Sequence, residues 1–294
     1  MAPDFNPGEK KEESMKIKHI VLIILVLTIA VSCGRKGGVL EIQSDRESAD
    51  VYLDETLIGQ TPLMLEEVES GKHVLKIQKK EDGHIYEYQE VFTMPEKEDI
   101  NIDAILTRLL TKEEINDILI EVAQTHPQPV KEDDRAVIET PYGRIVIQFF
   151  PEEAPVHCAN FKRLAKAGYY NGTTFHRVIP GFMIQGGDIL SRDDNRYNDG
   201  TGGPGYTIPA EFNAIHHGPG IVSMARAQDP NSAGSQFFIC HKDAGFLDKK
   251  YTVFGKVTEG MDVVDKIANA ERDKRDNPLI PIRMKVTMTT VDSL

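Results

Sequence analysis

Beyond its first forty residues, this chain sets its apolar residues two apart, in short runs broken by glycine, proline or an acidic turn pair. A period of two sends alternate side chains to opposite faces of a strand, so such runs dictate β-sheet joined by tight turns. Val39-Leu-Glu-Ile-Gln43 and Ala49-Asp-Val-Tyr-Leu53 read as strands, and in the second Ala49, Val51 and Leu53 share one face. Turns fall at Asp54-Glu55, Gly59, Pro62, Gly71 and Asp82-Gly83. Beyond Gly71, His73, Leu75 and Ile77 alternate with Val74 and Lys76. Ala136–Thr140 and Arg144–Phe150 flank Pro141-Tyr-Gly143 as a further hairpin.

Helical spacing is confined to a few places. Thr111 and Glu114 form a capping box ahead of Ile115, Ile118, Leu119 and Val122, and Pro127 and Pro129 stop that helix. Pro155 opens a second helix, with Cys158, Phe161, Leu164 and Ala165 on one face and Gly168 at its end. Met261, Val264, Ile267 and Ala268 mark another. Two helices against many short strands predict a closed or nearly closed barrel for the C-terminal half. At 294 residues the chain is long enough for two domains. The charged run Lys131-Glu-Asp-Asp-Arg135 places the boundary: a small β domain at 38–108, a helical and charged linker at 109–132, and the second domain at 133–294.

The net charge of −12 and the pI near 5.3 argue against a nucleic-acid partner, which needs a clustered basic surface. Cys33, Cys158 and Cys240 are too few and too scattered for a disulfide framework or a thiolate zinc site. A Cys158–Cys240 bridge stays open on sequence alone, while Cys158 reads as a buried helix-face residue. His157 and His176 read as packed or hydrogen-bonded histidines. His216-His217 and Glu211 would suit a metal, but neighbouring side chains point apart, and neither metal nor cofactor is expected.

From Ile20 to Val31 the chain is apolar except for Thr28, behind Lys16, Lys18 and His19. A basic flank followed by an apolar run too short for a membrane span is the layout of a secretory signal. Its end, Ala30-Val-Ser-Cys-Gly34, resembles the lipobox of bacterial lipoproteins, with Ala30 where that family prefers Leu. The resemblance implies cleavage after residue 32 and acylation of Cys33, with 33–37 as the lipidated N-terminus, while the compact basic flank Met15-Lys-Ile-Lys18 makes Met15 a more natural start than Met1. Two or more acyl chains hold a protein stably on a membrane, at about 0.8 kcal/mol per buried methylene. The location implied is the bacterial cell envelope, with the folded domains outside the cytoplasm.

Ile42-Gln-Ser44, Ala49–Asp54, Ile58-Gly-Gln-Thr-Pro62 and Gly71–Leu75 resemble the PEGA domain, a small β-sandwich of bacterial envelope proteins. The tetrad that names the family is expected in degenerate form as Glu47-Ser48-Ala49-Asp50. The resemblance implies no shared chemistry. It suits a spacer, or a module that binds an envelope glycan or protein.

Phe175-His-Arg-Val-Ile-Pro-Gly-Phe-Met-Ile-Gln-Gly-Gly-Asp188 resembles a cyclophilin signature almost literally. Gly218–Ala227, Asn231–Cys240, Leu247 and Tyr251–Val257 follow in the family's order. The resemblance implies a peptidyl-prolyl cis–trans isomerase on an eight-stranded antiparallel β-barrel capped by two helices, with a proline pocket outside it. Carried over by motif, Arg177 is the catalytic cation, with Phe182 and Gln185 beside it. Phe182, Met183, Phe238 and Leu247 form the proline pocket. Gln185 bonds the substrate backbone and Gln236 orders the site, while Ala225 and Arg226 contribute main-chain contacts. Arg226 stands where many relatives have Asn, Tyr251 where eukaryotic members have His, and Phe246 where many have Trp. These changes at the pocket edge touch affinity more than chemistry.

The chemistry accounts for the residue types. Amide resonance holds an X-Pro bond planar with a barrier of about 18–20 kcal/mol, and twisting it leaves the proline nitrogen pyramidal and basic. No bond in the chain is cleaved, so no nucleophile is needed. A donor that keeps its proton, such as a guanidinium, and an apolar grip on the ring suffice. The expected partners are therefore proline-containing polypeptides of the envelope or secreted proteins, whose folding the enzyme would assist. Two other readings use the same residues: a proline-peptide binding module with little turnover, or an envelope adhesin or scaffold led by the β domain.

Overall fold

In a computed structural model of the chain, residues 37–193 and 195–294 are described, so Cys33 and the expected signal segment lie outside them. The first domain has strands β1 (Gly38–Ser44), β2 (Asp50–Leu53), β3 (Thr56–Gln60), β4 (Leu63–Val68), β5 (Gly71–Glu81), β6 (His84–Met94), β7 (Ile100–Ala104) and β8 (Thr107–Arg108). They form two sheets, ordered β4-β1-β7 and β3-β2-β5-β6-β8. Leu40, Ile42, Ala49, Val51, Leu75, Ile77 and Met94 are buried in one cluster, the sandwich core.

The hairpin turns follow from backbone chemistry. Asp54 and Glu55 join β2 to β3 with both φ values positive, at 48° and 68°. Asp82 and Gly83 join β5 to β6 at 50° and 78°. Two consecutive left-handed residues are the turn that matches strand twist. Asp54 tolerates the conformation because its carboxylate accepts the Val74 N–H (2.8 Å) and a ring nitrogen of His73 lies 2.7 Å away.

The same geometry corrects the tetrad by one residue. Ser48, not Ala49, has positive φ (54°), and Ala49 is fully buried. A family glycine belongs at the left-handed position, so the tetrad reads Arg46-Glu47-Ser48-Ala49, with serine in place of glycine.

The second domain has β9 (Asp134–Thr140), β10 (Gly143–Phe149), β11 (Arg177–Ile179), β12 (Met183–Gly186), β13 (Ile221–Met224), β14 (Phe237–Cys240), β15 (Val253–Glu259) and β16 (Lys285–Thr290). They make one antiparallel sheet ordered β11-β12-β14-β13-β15-β10-β9-β16, as expected. The sheet curls until its ends are joined by main-chain bonds: Gly172 N to Met284 O, Met284 N to Thr173 O, and Phe175 N to Ile282 O, at 2.7–3.0 Å. Helices α2 (Pro155–Lys166) and α3 (Met261–Ala268) pack on this core. Cys158 and Cys240 are both free and buried, which closes the open disulfide.

The segment expected as a linker packs on the barrel. Helix α1 (Lys112–Gln124), capped by Thr111 and Glu114 as read, buries Ile115 and Val122 in the same cluster as the barrel interior, and Val130 joins them. The charged run is not wholly solvated either. Asp134 is buried against Lys162 Nζ at 2.6 Å, and the same ammonium donates to Pro129 O at 3.0 Å. Burial alone would raise the Asp134 carboxyl, yet the bonds from Lys162 and the Lys131 N–H hold it below its ordinary value. A buried pair of this kind ties the segment to α2.

Serine in the left-handed region carries a cost that glycine lacks. Ser48→Gly is expected to stabilise the β domain by about 0.5–1 kcal/mol, and Ala49→Gly to destabilise it. Denaturant unfolding of both variants checks this, and the opposite order would return the tetrad to its other register.

Candidate active site

Four short strands place the site. In β11, β12, β14 and β13, Val178, Ile184, Ile239 and Val222 point inward and join the barrel core. Their neighbours must then face outward, since side chains alternate. Register lines those neighbours up across the sheet as Arg177–Gln185–Phe238–Ser223. Met183 sits beside Gln185 on the same outer face. Met183, Phe238, Cys240, Ala244 and Leu247 form a separate buried cluster, flanked by Ile179, Phe182, Ile221, Ala225 and Tyr251. The structure thus brings together every residue expected for the proline pocket. Phe246 lies at its rim, exposed, with its ring 5.4 Å from that of Phe182. Tyr251 meets Phe238 edge-on at 5.7 Å.

Arg177 opens β11 with its side chain 45% exposed, free to reach a ligand. Its Nε lies 4.0 Å from Asp276, whose carbonyl accepts the Val178 N–H at 2.8 Å. Gln185 Nε2 donates to Gln236 Oε1 at 2.9 Å, and Gln236 Nε2 donates to Gly200 O (3.0 Å) and Gly202 O (2.9 Å). These bonds fix which end of each amide faces which. Behind them, Asp188 accepts the Gly200 N–H at 2.5 Å. Gly187 has φ +84°, and a Cβ there would stand 2.6 Å from Ser235 O, which explains the last glycine of the signature. His241 fastens the adjoining turn: its Nδ1 accepts the Gly181 N–H at 3.0 Å and its Nε2 faces Asp265 at 2.5 Å. Nothing in the local pattern singled out His241.

Arg226 is not a passive replacement. Its guanidinium lies 4.5 Å over the Tyr251 ring and donates to Lys250 O, Ala227 O and Gln228 O. Ala225 N donates to Gln236 O at 2.8 Å, so the main chain of this segment is tied to the site.

The histidines divide as well. His157 is buried on α2 with Nδ1 2.6 Å from Glu211. The same carboxylate accepts the Val156 and His157 N–H groups, each at 3.0 Å, and so caps a helix whose own N-cap, Ala154, offers no side-chain bond. Glu211 therefore serves α2 and not the His216-His217 pair. Burial, opposed by Glu211, keeps His157 below its ordinary value; burial likewise keeps His176 low and pushes the Cys158 thiol up to about 12.

His216 and His217 do converge, contrary to the expectation that neighbours diverge. Both contact Asp248, at 2.7 and 2.9 Å, and His216 Nε2 also meets Asp243 at 2.5 Å. His217 Nε2 lies 3.2 Å from Ser223 Oγ, and its ring stacks on Phe238 at 6.1 Å. The pair anchors the loop that carries Phe246 and Leu247.

Residues 135–289 match the family model described as cyclophilin type peptidyl-prolyl cis-trans isomerase/CLD, and residues 37–108 match the PEGA domain model. The chain is similar to a probable peptidyl-prolyl cis-trans isomerase of Brucella abortus, 45% identical over 154 residues, covering 50% of this chain and 79% of that protein. It is also similar to a peptidyl-prolyl cis-trans isomerase of Synechococcus elongatus, 47% identical over 140 residues, covering 47% and 91%. A solved cyclophilin from Cryptosporidium parvum, determined in the presence of the dipeptide Ala-Pro, aligns with 34% identity and a TM-score of 0.49, covering 53% and 99%.

The two adjacent histidines should titrate in opposite directions. Bonds from Asp248 and Asp243 raise His216, while burial lowers His217. The His216 tether is thus complete below its unfolded value near 6.5 and fades as pH rises through its raised one. His217 opposes folding as pH falls through that unfolded value. Imidazole NMR titration should find His216 above His217, and Asp248→Asn should bring His216 down. Coincident midpoints would contradict the assignment.

Proposed function

Because the chain belongs to the cyclophilin-type peptidyl-prolyl cis–trans isomerases, we propose that it turns X-Pro bonds in envelope or secreted proteins at the outer face of its barrel. The observation that carries this reading is the cross-strand row Arg177–Gln185–Phe238 beside the cluster of Met183 and Leu247. A proline ring seats on Phe182, Met183, Phe238 and Leu247, which hold one side of the bond still. Gln185, fixed by Gln236, bonds the substrate backbone, and the main chain at Ala225 and Arg226 holds the next segment in place. Rotation then localises the lone pair on the proline nitrogen, and the Arg177 guanidinium donates to it. Apolar surroundings strengthen that bond as the twisted state forms. The proton stays on arginine throughout, and no atom is transferred. Each 1.36 kcal/mol of preference for the twisted amide over the planar one speeds the rotation about tenfold.

Arg177→Ala should lose at least about tenfold in kcat/KM on a proline peptide, corresponding to about 1.4 kcal/mol, with unfolding nearly unchanged. Arg177→Lys should not restore it, since an ammonium lacks the planar fork. Folded Arg177→Ala protein with activity within about twofold of the unmodified chain would reject the mechanism.

The envelope setting rests on the apolar run ending at Cys33 and on the PEGA domain, which would act as a spacer between membrane and isomerase. Mature protein should begin at Cys33, carry acyl mass there and partition into detergent, whereas Cys33→Ser should remain an unacylated precursor. An N-terminal peptide that starts elsewhere and bears no lipid would remove the anchor.

A further inference from the structure

Beside the apolar cluster runs a groove of about 590 Å³. It is bounded by Gln185, Gln236, Ala225, Arg226 and the glycine-rich stretch 200–205, and Arg226 is the only formally charged residue among the described ones that line it. The position of that charge is fixed. The guanidinium donates to Lys250 O at 2.8 and 3.2 Å, to Ala227 O at 2.9 Å and to Gln228 O at 3.1 Å, and it lies over the ring of Tyr251. These partners are carbonyl oxygens and an aromatic face, which orient a cation without neutralising it. In a chain of net charge −12, the one formal charge among the described residues lining the groove beside the expected proline pocket is therefore positive.

We propose that Arg226 is a specificity-determining residue, which makes this groove prefer proline peptides with an acidic side chain next to the proline. The proposal rests on the isomerase reading above and goes beyond it by naming the substrate class. A long, free lysine would have to be immobilised on binding, whereas Arg226 is already held, so less of the attraction is lost to ordering. Charge complementarity of this partly exposed kind selects among partners more than it adds affinity.

The test uses the full chain and a peptide series with Glu, Gln or Lys placed in turn at each position flanking the proline. At one of these positions kcat/KM for Glu should exceed that for Gln by about three- to fivefold at low salt, with Lys below Gln. Rising salt should shrink the ratio. Arg226→Gln should abolish it, and Arg226→Lys, which keeps the charge without the fork, should retain part. Each variant is read as a ratio to its own Gln peptide, so a general loss from loosening Tyr251 cancels. Glu and Gln peptides equal within about 1.5-fold at every position, or a Glu preference that survives in Arg226→Gln, would overturn the proposal. Absent turnover of the Gln peptide would instead remove the isomerase reading itself.

Discussion

Phe237 and Phe238 are neighbours on β14, yet the first is locked inside the barrel and the second forms the outer cluster. Phe237 meets Phe161 at 5.4 Å, Tyr170 at 5.7 Å and Phe175 at 6.3 Å, all edge-on. This lattice of rings leaves the strand a single register, because a slip of one residue would exchange its two faces. Phe238 would then enter a space shaped for its neighbour, and Gln185 and Arg177, paired through the same ladder, would lose their common face. The polar row therefore owes its alignment to apolar packing on the far side of the sheet. Interior packing and surface chemistry are two faces of one constraint.

Main-chain segments with little regular structure hold the other half of the site. The stretch 199–202 receives Gln236, Asp188 grips Gly200, and Asn277 donates to Asp199 at 2.6 Å. Asp276, next to Asn277, binds the β11 backbone through its carbonyl and approaches Arg177 through its carboxylate. The two loops thus meet at the Asn277–Asp199 bond, one reaching the cross-strand row at Arg177 and the other reaching Gln236, the partner of Gln185. Such loops can be placed accurately because they bond to rigid strands, not because they are rigid themselves.

Much of this was legible in the sequence, for reasons that differ by residue. Asp54-Glu55 and Asp82-Gly83 announce hairpins because few residues tolerate positive φ, and Thr111 with Glu114 announces a helix start because both bonds are local. The pocket residues were legible only through their motif; periodicity alone leaves Met183 and Phe238 indistinguishable from core. What stayed hidden is long-range pairing. Nothing near Glu211 says that it caps α2, nothing near Asp134 says that it meets Lys162, and the charged run around it reads as solvated. The same holds for Arg226 and Tyr251, which look like two separate departures from the family until the ring and the guanidinium are seen in contact. The tetrad at 46–49 failed differently: its glycine position is defined by a dihedral angle, and serine masks it.

Titration separates the chemistry from its supports. The proposed mechanism uses a guanidinium, two amides and apolar rings, none of which changes charge around neutrality. The supports do. Burial pushes Asp199 up to about 6 although Asn277 donates to it, so its contribution to stability is complete below the unfolded value of 3.8 and lost as pH rises through about 6. Burial therefore disfavours the ionised form of Asp199 in the loop that presents Gly200 and Gly202 to Gln236. On the opposite side of the pocket, the Asp248–His216 tether also loosens as pH rises. Both effects act on groups that support the proposed substrate contacts, and neither acts on the proposed donor to the twisted amide. A rise in pH should consequently register in substrate binding before it registers in the rotation step.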